Sequence, residues 1–338
     1  PIMQRRVVKY TSFGDPRKVT TLVKETISTE IETNEVLVRW LASPVNPLDI
    51  NKIQGVYMMK PELPAIAGSE GVGRVVKIGS TVTSVEVGDQ VVIFALNCPT
   101  WADYSVVDEG SLMKIDKRIT PKQGATMMIN PPTAWVMMKM GGIVSGDWIV
   151  QNAANSGVGR AVIQIAKAKG YHTINVVRDR SNIQELKDEL LKMGGDIVLT
   201  EEELGKRYRE FKGRPKLAMN GVGGKSCLQI SNLLARGGML ITYGGMGRQP
   251  HEISTSALVF NDIKAVGVAI SMWMIAEENK EEVERMLREI QDYFVRGILT
   301  PPPMDEHSLE NFSTALQNSM DGKHPKQIFV LNNDTSKL

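Results

Sequence analysis

One stretch, Trp148 to Arg180, restricts the fold more than any other. It opens with a strand, Trp148-Ile149-Val150-Gln151-Asn152, and passes through the small-residue turn Ala154-Asn155-Ser156-Gly157-Val158-Gly159. A helix follows that places Val158, Ala161, Val162, Ile165 and Ala166 on one apolar face. Gly170 is positioned to end that helix, and His172 to Val177 is rich in β-branched residues, as a second strand should be. A strand-turn-helix-strand series of this kind is one βαβ unit of a dinucleotide-binding fold. The turn lets a pyrophosphate approach bare backbone at the helix N-terminus, where free N–H groups and the helix dipole favour negative charge.

The glycines of the turn are incomplete. Ala154 and Ser156 stand where G-x-G-x-x-G has its first two glycines, and only Gly159 keeps its place. The end of the second strand is more informative. A site for NAD carries an acidic residue there to accept from the ribose hydroxyls. This chain has Val177-Arg178-Asp179-Arg180. A carboxylate repels a 2′-phosphate, whereas a guanidinium fork binds it through charge-assisted hydrogen bonds. Alone, Arg178 and Arg180 would read as surface charges after a strand; within the complete unit they point to NADP(H) over NAD(H).

A length of 338 residues allows two domains, each with its own core. The formal net charge of +2 and the mixed signs along the chain argue against a nucleic-acid partner. No apolar run approaches the roughly 20 residues of a membrane span, so no membrane partner is expected. The 2 cysteines, Cys98 and Cys227, lie far apart and do not form a disulfide framework, which suits a reducing compartment. The chain opens at Pro1, and the expectation is that an upstream segment has been removed. The 18 methionines, Met127-Met128 and Met137-Met138 among them, read as adaptable core filler.

Residues 1–125 read as mainly β, with runs at Glu35–Trp40, Val72–Ile78, Gln90–Phe94 and Trp101–Val107. Pro131-Pro132 opens a helix through Met140. From Trp148 the rhythm becomes alternating strands and helices, which predicts a doubly wound α/β fold with a parallel sheet over residues 126–302. Within it, Ser181 and Gln184 read as a capping box, and strands are predicted at Asp196–Thr200, Lys216–Val222 and Gly238–Tyr243, with a helix over 225–235. The helix from Lys280 to Arg296 carries Val283, Met286, Leu287, Ile290 and Phe294 on one stripe. Residues 303–338, with a short helix at Leu309–Leu316 and a strand at Gln327–Leu331, read as a return to the first domain. Lys206, Arg207 and Arg209 read as a solvated basic face.

The string Pro64-Ala65-Ile66-Ala67-Gly68-Ser69-Glu70-Gly71-Val72-Gly73-Arg74-Val75-Val76, followed by Gly79, Val82 and Val87-Gly88-Asp89-Gln90-Val91, resembles the signature of medium-chain dehydrogenases/reductases. The resemblance implies a GroES-like β-rich catalytic domain beside the Rossmann domain. In the zinc alcohol dehydrogenases of that superfamily, the residue between Gly68 and Glu70 would be a histidine metal ligand; here it is Ser69. The clustered cysteines of a structural zinc lobe are absent too, so no metal is expected.

Further motifs narrow the resemblance. They are Asn46-Pro47-Leu48-Asp49-Ile50-Asn51, Ile53-Gln54-Gly55-Val56-Tyr57, Asn130-Pro131, Gln151-Asn152, Gly223-Gly224-Lys225-Ser226 and Tyr243-Gly244-Gly245-Met246. Together they are similar to the mitochondrial trans-2-enoyl-thioester reductases, which act on enoyl-CoA and enoyl-acyl-carrier-protein in fatty acid synthesis. The resemblance implies a mitochondrial, homodimeric, NADPH-dependent enzyme with Tyr57 as its catalytic residue. It implies cofactor contacts at Asn130, at Asn155, Ser156, Gly157 and Val158, at Arg178, Asp179 and Arg180, at Tyr243, Gly244, Gly245 and Met246, and at Lys326. It places Val268, Ala269 and Ile270 along the cofactor site as well; animal members tend to have bulkier aromatic residues at the first two of these positions.

The chemistry of enoyl-thioester reduction suits these assignments. Hydride goes to the β-carbon, the thioester oxygen carries enolate charge and wants donors, and a proton must reach the α-carbon. A phenol keeps its proton at neutral pH, so Tyr57 can give that proton or donate to the enolate. Without the resemblance, a tyrosine on a loop after Asn46-Pro47 would as readily be a packing residue. Trp101 fits either a cleft wall or the core, and Lys326 fits either a phosphate partner or a solvated lysine in a polar loop. Gly244-Gly245 fits close backbone approach to a nicotinamide or a simple turn. Two other functions share the fold and cofactor: a zinc-free quinone or enone reductase, and a non-catalytic NADPH-binding protein.

Overall fold

The computed structural model describes residues 1–94 and 98–331. The chain forms two compact units, one from 1–128 with the carboxy-terminal segment from Thr300, the other from Ile129–Leu299. In the first unit the strands are β1 (Ile2–Tyr10), β2 (Thr20–Ser28), β3 (Glu35–Pro44), β4 (Ala65–Ile66), β5 (Val72–Ile78), β6 (Gln90–Ile93), β7 (Tyr104–Asp108) and β8 (Leu112–Lys114). The second unit contributes β9 (Trp148–Gln151), β10 (His172–Val177), β11 (Ile197–Thr200), β12 (Pro215–Asn220), β13 (Met239–Thr242) and β14 (Lys264–Gly267). The chain then returns to the first unit with β15 (Met304–His307) and β16 (Lys326–Val330).

The six strands of the second unit are all parallel, in the order β11-β10-β9-β12-β13-β14. That is the Rossmann order, and the chain reverses its direction of travel between β9 and β12, the switch point of the sheet. The helix Gly157–Lys169 buries the predicted face, Val158, Ala161, Val162, Ile165 and Ala166. Gly170 ends it in the left-handed region at φ 73°, a conformation that favours glycine. The helix Lys280–Val295 buries all five predicted stripe residues. Met127, Met137 and Met138 are buried, consistent with their reading as filler.

The helix Ile183–Met193 starts at Asn182, not in a Ser181–Gln184 capping box. Gln184 instead donates its amide to Asp188, one turn on, at 2.8 Å. The helix expected over 225–235 ends at Ser231.

The first unit is built around β3. It pairs antiparallel with β5, with β7 and, near its end, with β16, in a seven-stranded sheet that also contains β6, β8 and β15. A second sheet runs β2-β1-β4. Trp101 precedes β7 and is fully buried, its ring edge-on to Phe329 and its indole N–H donating to the Pro44 carbonyl at 3.2 Å. It is a core residue. The segment after Asn46 is not a plain loop: Pro47–Gln54 is a helix, with proline in its first turn and a reciprocal cap between Asn46 and Asp49.

Candidate functional site

The expected cofactor residues of the second unit gather at the carboxyl edge of its sheet. Asn155 to Val158 form the turn after β9; Arg178, Asp179 and Arg180 follow β10; Tyr243 to Met246 follow β13; Val268, Ala269 and Ile270 follow β14. Asn152 and Asn220, at the ends of β9 and β12, tie the two sides of the switch point together. The Asn152 amide donates to Asn220 Oδ1 at 2.8 Å, and the Gly221 N–H donates to Asn152 Oδ1 at 2.8 Å. Both asparagines are buried. The Tyr243 loop is anchored on the same residues, since the Tyr243 N–H donates to the Asn220 carbonyl and the Met246 N–H to the Gly221 carbonyl, each at 3.0 Å.

This edge has the shape a dinucleotide needs. Ser156 caps the helix, its hydroxyl accepting from the Gly159 N–H at 3.1 Å. A Cβ on Gly159 would lie 2.4 Å from the Ala154 carbonyl oxygen, so only glycine lets the helix start this close to the turn backbone. A Cβ on Gly157 would lie 2.2 Å from Asn130 Nδ2, and one on Gly221 would lie 2.5 Å from Tyr243 Oη. Bare backbone is therefore required where the expected pyrophosphate and nicotinamide ends would lie.

The polar atoms here fit an anionic ligand. Asn130 Nδ2 and Arg180 Nε are buried without a hydrogen bond, and Tyr243 Oη lies beside the Ser156 hydroxyl without a well-formed one. Burial pushes the Tyr243 phenol up to about 12, so it remains a donor. Burial, together with the nearby charges of Arg178 and Arg160, lowers the Arg180 pKa. Arg160 has its own carboxylate, Glu189, at 2.6 Å, whereas among the described residues no carboxylate pairs with Arg178 or Arg180. The residues present fit NADP(H).

Tyr57 and Lys326 belong to the first unit. The Tyr57 N–H donates to the Asn51 carbonyl at 3.2 Å, which fastens its turn to the helix Pro47–Gln54, and its side chain is half-buried. Gly55 closes that helix at φ 73°, and a Cβ there would lie 2.8 Å from the Phe13 side chain. Lys326 is not in a polar loop; it opens β16, and its ammonium donates to Asn46 Oδ1 at 2.5 Å.

Sequence reasoning gave no role to the cluster around Lys326. Asn46 also donates its amide to Glu70 Oε2 at 2.8 Å and its backbone N–H to Asp49 Oδ2 at 2.7 Å. Glu70 accepts from the Met128 N–H at 2.9 Å. Glu70, fully buried, has its carboxyl pushed up to about 7 by desolvation, against the pull of Lys326. Desolvation also holds Lys326 and Lys52 below the usual ammonium range. The Asn46-Pro47-Leu48-Asp49 spacing, a capping box with proline at its first helical position, was the available signal for the helix that organises this cluster.

Known proteins share this fold and much of this sequence. The alcohol dehydrogenase GroES-like domain family matches residues 32–117, and the zinc-binding dehydrogenase family matches 157–292. A mitochondrial enoyl-acyl-carrier-protein reductase of Caenorhabditis elegans is 52% identical over 332 residues, covering 97% of this chain and 96% of its own. The complex of Etr1p with NADP and crotonyl-CoA superposes with a TM-score of 0.89 at 32% identity, covering 97% of this chain and 100% of that one. The mitochondrial 2-enoyl thioester reductase Etr1p/Etr2p heterodimer from Candida tropicalis has the same TM-score of 0.89, at 32% identity, with 97% and 100% covered. The chain belongs to the mitochondrial enoyl-acyl-carrier-protein reductase family, within the medium-chain dehydrogenase/reductase superfamily.

Proposed function

We infer that this protein reduces trans-2-enoyl thioesters, carried on CoA or acyl-carrier protein, to saturated acyl thioesters with NADPH, in mitochondrial fatty acid synthesis. One observation carries the reading at the level of the structure: two arginines beyond β10 that pair with no carboxylate among the described residues, with buried polar atoms without partners, at the switch point of a Rossmann sheet. In this reading Arg178 and Arg180 hold the 2′-phosphate, with Asp179 between them. Asn155, Ser156, Gly157 and Val158 hold the pyrophosphate at the helix N-terminus. Asn130, Tyr243, Gly244, Gly245, Met246, Val268, Ala269 and Ile270 line the rest of the cofactor. NADPH, when bound, supplies the hydride.

Tyr57 supplies the proton that reaches the α-carbon, or donates to the thioester oxygen as enolate charge develops. Lys326, hydrogen-bonded to Asn46, is the first unit's residue assigned to the cofactor. The test is turnover of trans-2-butenoyl-CoA followed by loss of NADPH absorbance, with NADH and a quinone as competing co-substrates. Turnover with NADPH and the enoyl thioester is expected; a preference for the quinone would assign the fold to the other reductase class.

The same reading makes the protein a homodimer. β14 is an edge strand whose four residues are all exposed, with Val266 at 39%, and Phe260, just before it in the chain, is exposed at 75%. An open, partly apolar edge is a template for pairing with a second copy. Light scattering should give twice the chain mass, and Val266→Lys should reduce it toward one.

A further inference from the structure

The helix that leads to Tyr57 carries a buried lysine that the mechanism does not use. Lys52 is 7% exposed, and its ammonium donates to Ser69 Oγ at 3.1 Å. One turn earlier on the same helix, Asp49 is 1% exposed. One of its carboxylate oxygens accepts from the Asn46 N–H, and the other is buried without a well-formed hydrogen bond. An isolated buried carboxylate is costly, and the nearby ammonium offsets that cost. Ser69 is the residue that stands where the zinc-dependent members of the superfamily would place a histidine ligand. At this point the chain therefore has a cation of its own, held on one side by Ser69 and on the other by the field of Asp49.

The backbone connects that cation to Tyr57. The Lys52 carbonyl accepts from the Gly55 N–H at 3.0 Å, and the Asn51 carbonyl accepts from Val56 and Tyr57. Asp49 caps the same helix through Asn46, which in turn holds Glu70 and Lys326. We propose that Lys52 is a positioning residue for the reaction, its ammonium an internal cation that pins the helix Pro47–Gln54 to Ser69 and neutralises Asp49, so that the Gly55–Tyr57 turn is presented in one place. The proposal rests on the reading of Tyr57 given above. Lys52 and Asp49 also line a cavity of about 420 Å³ with Ile53, Gly68 and Cys98, large enough to admit a small amine if the lysine is shortened.

The experiment is Lys52→Ala with n-propylammonium, which replaces the atoms removed, against n-propanol and tetramethylammonium at equal concentration. Misplacing the reacting group should lower kcat about ten- to a hundred-fold with NADPH affinity unchanged. The primary ammonium alone should restore it saturably, and should alone raise the melting temperature of the variant. Asp49→Asn with Lys52→Met removes both charges and should recover most of the stability lost in Lys52→Ala, but less of the activity, because the bond to Ser69 stays lost. A Lys52→Ala enzyme with wild-type kcat overturns the proposal. So does one that n-propylammonium neither activates nor stabilises, or a double variant no better folded and no more active than the single. A wild-type protein without enoyl-thioester turnover would defeat the functional reading instead, while the amine-dependent melting shift would still report on the cation site.

Discussion

In the unit spanning 129–299, polar atoms at the carboxyl edge of the sheet are left without partners: Asn130 Nδ2, Arg180 Nε and Tyr243 Oη. In the unit formed by 1–128 and the carboxy-terminal return, Asp49, Glu70, Lys52 and Lys326 instead gather around Asn46 and Ser69 in one buried cluster. Both arrangements bury polarity. The difference is where the compensation comes from. The first edge has donors and positive charge that suit an incoming anion. The second cluster sets two carboxyl groups against two ammoniums from its own chain, with one Asp49 oxygen left without a well-formed hydrogen bond, so most of its compensation is in place before any ligand arrives. A site that receives and a framework that holds are thus divided between the two units.

The sharpest test of that division is Tyr57, the one residue of the first unit assigned to chemistry. Tyr57→Phe removes a hydroxyl and keeps the ring, so folding and NADPH binding should persist. If the hydroxyl delivers the proton or steadies the enolate, kcat should fall by about two to four orders of magnitude. A change of less than about threefold would mean that the first unit serves as framework only.

The framework has its own signature in pH. Glu70 titrates near 7 in the folded protein instead of near 4.5, so between those values the folded state holds a proton that the unfolded state has lost. Stability should therefore fall as pH rises through that window and level off above about 7, by up to about 3 kcal/mol. Glu70→Gln cannot titrate, and that component of the slope should vanish. Lys326 then lacks its anion, so the slope, not the absolute stability, is the readout, measured by urea unfolding from pH 5 to pH 8. Parallel profiles for the two proteins would mean that Glu70 stays ionised throughout.

The two units also differed in how openly the sequence announced them. Strands β9 to β13, mostly buried, read as apolar runs, and their helices read as single apolar stripes. That is why the βαβ unit and the arginines after it were legible. In the first unit, β1 carries Arg5 and Lys9 in ion pairs with Glu25 of β2, and these charges mask the strand pattern. The helix Pro47–Gln54 was hidden because Asn-Pro reads as a turn, although Asn46 and Asp49 cap it. Lys52 carried no signal at all: a lysine on a short polar helix ordinarily faces water, and only tertiary packing buries this one. In the tail, Gly322 at φ 64° closes a helix that runs five residues past the expected end at Leu316, to Asp321.

A smaller effect tests the receiving edge. Arg178→Ala and Arg180→Ala should each weaken NADPH binding by about ten- to a hundred-fold, the range for a charge-assisted hydrogen bond of roughly 1.5–3 kcal/mol. NADH affinity should barely change. Arg180 is the more buried of the two and lies in the field of Arg178 and Arg160, so its loss should cost more. Titration by nucleotide fluorescence reads both constants. Equal wild-type affinity for NADPH and NADH would remove the arginines from recognition and leave the edge without its stated ligand.

The smallest expected effect is none. The zinc-binding dehydrogenase family matches much of the second unit, so a metal requirement is the natural alternative to self-contained charge balance. Ser69 replaces the histidine and already accepts from Lys52. Cys98 is buried, its thiol pushed up to about 12 by desolvation, which disfavours the thiolate a metal needs. Cys227 belongs to the other unit. Prolonged chelation should then leave kcat and melting temperature unchanged, and elemental analysis should find no stoichiometric zinc. Activity lost to a chelator and regained with zinc would show that the first unit needs an outside cation after all, and the contrast with the receiving edge would collapse.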